Sequence, residues 1–214
     1  MGLSTHECED SEECNVVTLG IGNDTIVEEM LFKRISKKCN FFGADPVAVV
    51  NKQLYQRFGK FFKIAVGATN GVKNATVYIK DNNVWKYQSV PVQHFDLLRF
   101  LKKCVKVKTV IDYLLMDVEG TEYDMLPYFL PDGALDMNGI IVCQWTCEFH
   151  KPDKKQVEKF GRFMLENLQF GKYLPFRLEQ DTRHVVIRST FLNTVDKVCL
   201  ERYFENCAQR PHEK

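Results

Sequence analysis

Three acids crowd around one glycine in Asp117-Val118-Glu119-Gly120-Thr121-Glu122, directly after the apolar run Tyr113 to Met116. Carboxylates at the end of a buried strand can take a proton from a substrate or orient it by hydrogen bonding. Asp117 and Glu119 are therefore candidate catalytic residues. A hard divalent ion held by the same pair is the alternative, but direct hydrogen bonding is preferred and no metal is expected. Glu122 falls where a helix should start, so capping of its positive end is the expected role. His150 closes another strand candidate, Gly139 to Phe149, and is a further candidate proton acceptor.

A second group lies near the amino end. Thr18-Leu19-Gly20-Ile21-Gly22-Asn23-Asp24 follows the strand candidate Asn15 to Leu19. Glycines there let the backbone approach a ligand, and free amides at the next helix start can hold an anion. Asp45 comes 25 residues after Gly20, at the end of the next strand, where a carboxylate can accept both hydroxyls of a ribose. A dinucleotide fingerprint would need a third glycine where Thr25 stands, and a phosphate-binding P-loop would need Gly-Lys-Ser/Thr. An adenosine ligand without a pyrophosphate fits better than either.

Alternating elements must position these groups. Helices are expected over Thr25 to Lys37, from Asp45-Pro46 to about Arg57, and over His94 to Cys104, Thr121 to Phe129, Lys154 to Asn167 and Val195 to Phe204. Strands are expected at Asn40 to Ala44, Phe61 to Val66, Ala75 to Lys80 and Val84 to Val92, the last two around Asp81-Asn82-Asn83. A closing strand pair, Tyr173 to Leu178 and His184 to Arg188, turns at Glu179 to Arg183 and would form an antiparallel edge. Strand and helix alternation predicts an α/β fold: a mainly parallel sheet with helices on both faces. The expected organisation is an acidic leader at 1–14, one domain at 15–206 and a tail at 207–214.

Of eight cysteines, Cys39, Cys104, Cys143 and Cys147 read as small buried hydrophobes. Cys8 with Cys14, and Cys199 with Cys207, could bridge in an oxidising compartment. A zinc site on Cys143, Cys147, Glu148 and His150 is not expected, because strand alternation turns His150 away from the cysteines. The formal net charge of +1 gives no global bias toward nucleic acid or anionic membrane. No apolar run approaches the length of a transmembrane helix, and no apolar segment follows a basic start as in a signal peptide. The expected compartment is the cytoplasm, with the secretory pathway as the alternative if the chain is truncated or its terminal cysteines are bridged.

The segment Asp112 to Leu126 resembles the D-L-L-K-I-D-V-E-G-A-E-x-x-V-L signature of FkbM-type methyltransferases. Val90 to Leu98 is similar to that family's V-x-x-x-T-L-D-D-L-L segment, and Ile140 to His150 to its closing E-x-H strand. Tyr87-Gln88-Ser89-Val90-Pro91 and Cys143-Gln144 look especially like its nematode branch. The likeness covers roughly residues 15 to 150 and continues more weakly to about 204. It implies a Rossmann-like class I methyltransferase fold with S-adenosylmethionine as cofactor. Gly20, Gly22 and Asn23 would then line the methionine side, Thr18 would stand at the first motif's usual acid, and Asp45 would hold the ribose. Asp117 and Glu119 would border the methyl-transfer site, with His150 the weaker candidate proton acceptor beside them. The implied activity is O-methylation of a small-molecule or glycan hydroxyl, with no nucleic-acid partner. Thr18 in place of the acid, Asp24 in place of the usual third glycine and Leu115 in place of the usual lysine point to the alternative, a weakened or inactive binding module.

Overall fold

The computed structural model describes residues 14–35, 39–81, 84–181 and 186–205. The chain alternates through β1 (Cys14–Leu19), α1 (Ile26–Arg34), β2 (Cys39–Ala44), α2 (Ala48–Tyr55) and β3 (Lys60–Phe62). Next come β4 (Ala65–Gly67), β5 (Gly71–Asp81), β6 (Val84–Asp96) and α3 (Leu97–Arg99), which runs into a π-helical turn at Phe100–Val105. β7 (Val110–Met116) leads to the one-turn helix α4 (Glu122–Met125) and a 3-10 turn at Leu126–Phe129. β8 (Ile141–His150), α5 (Lys154–Phe170), β9 (Tyr173–Asp181), β10 (Val186–Asn193) and α6 (Lys197–Leu200) complete the chain, with a last π-helical turn at Glu201–Glu205.

Seven strands form one sheet in the order β3-β2-β1-β7-β8-β10-β9. The first five are parallel, and β10 runs antiparallel to both β8 and β9. The expected mainly parallel sheet with an antiparallel edge is therefore present. Successive residues of β1 point to opposite faces. Val17 and Leu19 enter one core with α3, α4 and α5, while Val16 enters another with Leu31 and Tyr55 from α1 and α2. Trp145 anchors the larger core, stacked between Phe129 at 4.3 Å and Phe191 at 4.0 Å. Burial of such rings dominates core energetics.

Strand β9 runs on to Asp181, through part of the turn expected from Glu179, and the helix expected over Thr121 to Phe129 is one α turn followed by a 3-10 turn; two further differences have local reasons. Phe61 to Val66 is not one strand: Ile64 N donates to Phe62 O at 3.0 Å, a three-residue turn that diverts the chain. β3 stays beside β2, whereas β4 joins β6 and β5 in a separate three-stranded sheet. The helix expected from His94 begins instead at Leu97, because His94 to Asp96 complete β6. Asp96 then caps it, accepting from Arg99 N at 2.9 Å.

The cysteine pairing also needs correction. The disulfides are Cys14–Cys39 and Cys143–Cys199, not the terminal pairs, so neither Cys39 nor Cys143 is a free core thiol. Parallel register sets Cys14 opposite Cys39, with Cα atoms 4.3 Å apart. Cys104 and Cys147 are free thiols; Cys147 is buried as expected, whereas Cys104 is only partly buried. Cys8, Cys207, the leader up to residue 13, the tail and the turn residues 82–83 and 182–185 lie outside the described residues. Among the described residues no helix is long and apolar enough to cross a membrane.

The disulfides close sequence separations of 25 and 56 residues. Each should stabilise by about 3–4 kcal/mol through the unfolded state. Chemical denaturation with and without a reductant should show a clearly lower midpoint in the reduced protein. Alkylation of the denatured, unreduced chain should spare Cys14, Cys39, Cys143 and Cys199; labelling of these would refute the pairing.

Candidate active site

Strand order reverses between β1 and β7, and in open α/β sheets ligands bind beyond the strand ends at such a point. Here Asp117 N donates to Leu19 O at 2.8 Å and Gly20 N to Ala44 O at 2.9 Å, tying together the ends of β7, β1 and β2. Gly20 has φ +80°, and a Cβ on it would lie 1.7 Å from the Asp117 carbonyl oxygen. Only glycine allows that approach. Gly22 has φ +60° but open space where its Cβ would be.

Two side chains hold the glycine loop. Asp45 Oδ2 accepts from Ile21 N at 2.8 Å and Gly22 N at 3.4 Å, while Oδ1 accepts from Val47 N at 2.7 Å. Asn51 Oδ1 accepts from Asn23 N at 2.9 Å. Thr18 is buried beneath, donating to Glu28 Oε1 at 3.0 Å and accepting from Tyr55 OH at 3.1 Å. Burial pushes the Glu28 carboxyl above its ordinary range, against hydrogen bonds from its own backbone amide and Thr18.

A cavity of about 300 Å³ opens over this loop, lined by Gly20, Gly22, Asn23 and Asp45. That is the lower end of the range for small-molecule sites. Asn74, Thr76, Tyr87 and His94 of the smaller sheet also line it, as do Asp117, Glu119 and Thr121. Thr18 does not. Three cavity-lining groups have buried polar atoms without a hydrogen-bond partner: Asn23 Oδ1, Asp117 Oδ1 and Thr121 Oγ1.

Beside the cavity, the ends of β7 and β8 bring Asp117, Glu119 and His150 together. Their nearest ligand atoms all lie within 4.8 Å of one another. Glu119 reaches this position through a left-handed backbone, φ +52°. Glu122 does not cap its helix: its side chain is fully buried and Oε1 meets His150 Nδ1 at 2.7 Å. Burial pushes Asp117 up to about 7, helped by the Glu148, Glu119 and Glu122 charges and opposed by His150. Burial disfavours the His150 cation, yet the Glu122 hydrogen bond and the charges of Glu122, Asp117 and Glu119 raise it to about 9.

The residues missed from sequence were Glu122 as a partner of His150, Asn51 as a loop anchor, and the wall supplied by β5 and β6. Glu122 carried a signal. Its neighbours Tyr123, Met125, Leu126 and Phe129 are apolar and buried, so a short helix there has little exposed face for a capping acid. Asn51 and the wall residues carried none.

This strand order, with a glycine loop and a β2 acid at the switch point, defines the class I methyltransferase fold. The methyltransferase FkbM domain model matches residues 6–175, and the chain belongs to that family. Solved structures of similar fold include the human methyltransferase 10 domain containing protein, at 11% identity and TM-score 0.47, covering 89% of this chain and 76% of that one. A putative rRNA-methylase from Clostridium thermocellum is 12% identical with TM-score 0.46, covering 85% and 87%. The N-terminal domain of human METTL16 in complex with SAH is 10% identical with TM-score 0.43, covering 89% and 65%. No curated protein matches the chain.

Gly20→Ala should cost at least about 3 kcal/mol or abolish folding, since backbone blocks the new methyl. Gly22→Ala, strained only in φ, should cost about 1–2 kcal/mol. Urea denaturation of both variants checks the contrast, and equal costs would refute the close approach. Because the folded state raises Glu28, it keeps a proton that the unfolded chain releases, so stability falls as pH rises from the ordinary glutamate range. Glu28→Gln should flatten that fall above the ordinary glutamate range in thermal unfolding; an unchanged slope would contradict it.

Proposed function

We propose that the chain transfers a methyl group from S-adenosylmethionine to a hydroxyl of a small molecule or glycan. The observation that carries this reading is that one cavity joins the glycine loop and Asp45 to Asp117 and Glu119. A cofactor half and an acceptor half are thus contiguous. The lining suits a zwitterionic nucleoside: Asn23 and Thr121, each with a buried polar atom that has no partner, border a space next to Gly22, whose backbone carries no side chain.

Gly20, Gly22 and Asn23 would hold the methionine end, and Asp45 with Asn51 the ribose end. Thr18 supports the loop from below through Glu28 and Tyr55. When bound, the cofactor's sulfonium supplies an activated methyl and a neutral sulfur leaving group. The chain's own task is alignment. Asp117 and Glu119 orient the acceptor hydroxyl, and either carboxylate can receive its proton. Glu122 fixes the His150 ring beside them.

Two observations bear on the acceptor and on the alternative. One of the similar structures is a putative rRNA-methylase, but a net charge of +1 gives this chain no basic excess for nucleic acid. The two disulfides favour an oxidising compartment over the expected cytoplasm, and with it a glycan hydroxyl. The second reading is a binding module without turnover. It is favoured by Asp45, whose carboxylate already accepts three backbone amides and keeps little capacity for a ribose.

Calorimetry with S-adenosylmethionine tests both. Binding should weaken at least about tenfold in Asp45→Ala, the loss of one buried charged hydrogen bond. Asp117→Asn should spare binding but lower methyl transfer by about 10²–10⁴-fold. Transfer is read with labelled cofactor against glycans, small hydroxyl compounds and RNA. Absence of binding by the folded chain would overturn the reading; binding without transfer would establish the binding module.

A further inference from the structure

Asp117, Glu119 and His150 are held at ion-pair separations, longer than hydrogen bonds. His150 Nε2 lies 3.5 Å from Asp117 Oδ1 and 3.8 Å from Glu119 Oε2. Both separations exceed ordinary hydrogen-bond lengths. Atoms that share a cation, held about 2.0–2.2 Å from it at octahedral or tetrahedral angles, lie roughly 3–3.6 Å apart; the shorter separation falls in that range and the longer lies just beyond it, so a small inward movement of Glu119 would close the set. Asp117 Oδ1 is buried and has no hydrogen-bond partner.

The second observation lies behind the ring. Glu122 has a fully buried side chain, accepts at His150 Nδ1, and leaves its own Oε2 without a partner. A carboxylate on one imidazole nitrogen fixes the tautomer and aims the other nitrogen outward, the usual support of a metal-binding histidine. Here Nε2 is aimed at the two carboxylates. About half of each carboxylate side chain remains accessible, 46% for Asp117 and 42% for Glu119, and both border the cavity. An ion there would keep open positions facing it.

We propose that Asp117, Glu119 and His150 form a divalent-cation site, with Glu122 as the residue positioning His150. Two carboxylate oxygens and one imidazole nitrogen form a mixed donor set. It is too oxygen-rich for a closed zinc centre and carries a nitrogen that magnesium and calcium do not favour. Mn²⁺, which takes both carboxylate oxygen and imidazole nitrogen, is the probe ion for such a set. Its role, presenting a bound acceptor oxygen to the cavity, rests on the methyl-transfer reading; its binding does not.

The test is titration of the full, disulfide-intact chain with MnCl₂, following the free-ion paramagnetic resonance signal. One saturable site is expected. Glu119→Gln and His150→Ala should each weaken it at least about tenfold, and Glu122→Gln about 10–100-fold although it contributes no ligand. Glu119 sits on a partly exposed loop, so its variant keeps the test open if the buried changes impair folding, which near-UV circular dichroism would show. No saturable binding by the wild-type chain would overturn the site, as would binding indifferent to Glu119→Gln and His150→Ala. Equal displacement of Mn²⁺ by equimolar Mg²⁺ would overturn the part assigned to the His150 nitrogen. Calorimetry with S-adenosylmethionine in excess chelator reads the cofactor region separately. A chain that binds cofactor but no Mn²⁺ would refute the metal site and leave the methyl-transfer reading standing.

Discussion

The site depends on the space that a single hydrogen atom leaves free. At Gly20 the end of β1 lies directly against the Asp117 carbonyl, and no larger residue fits. That approach lets Leu19 O receive the Asp117 amide while Gly20 N reaches Ala44 O. Three strand ends are thereby locked in register. The glycine loop starts from one of them, Asp45 follows the second, and the Asp117–Glu119 turn follows the third. Displacing any one would separate the two halves of the cavity.

Around that contact the chain spends its polar groups on holding itself in shape. Asp45 and Asn51 pin the glycine loop, and Glu28 brings a carboxylate to Thr18. At the far end of β7, Asp112 is buried and receives Asn15 N at 2.7 Å, Arg202 Nη1 at 2.7 Å and Tyr203 OH at 2.5 Å. The C-terminal turn is thus fastened to the central strands at the end remote from the cavity. The Cys14–Cys39 bridge secures that same end of β1 and β2. Rigidity at one end of the sheet supports the open loops at the other.

Much of this was legible in the sequence because strand periodicity and glycine chemistry are local. The apolar runs ending in Gly20, Asp45, Asp117 and His150 each mark a strand end facing the site, and the alternation of elements points to a parallel sheet. Non-local properties were hidden. Disulfide partners follow from strand register, which pairs Cys14 with Cys39 across a helical crossover. The diversion at Ile64, which splits one apolar run between two sheets, is a single turn without a glycine or proline. Glu122 reads as a helix-start acid until β8 is packed against it.

Among the described residues the β4–β6–β5 sheet forms no ladder with the main sheet, yet Asn74, Thr76, Tyr87 and His94 make up one side of the cavity. Its long hairpin owes its shape to its own cross-strand pairs, from Gly71 with His94 to Asp81 with Val84. Changes along it can therefore alter the shape and polarity of the cavity without shifting the register of the seven strands. That separation makes the hairpin an evolvable surface. Substitutions between Gly71 and Gln93 can reshape that wall while Gly20, Asp45 and Asp117 stay under the constraints of the scaffold.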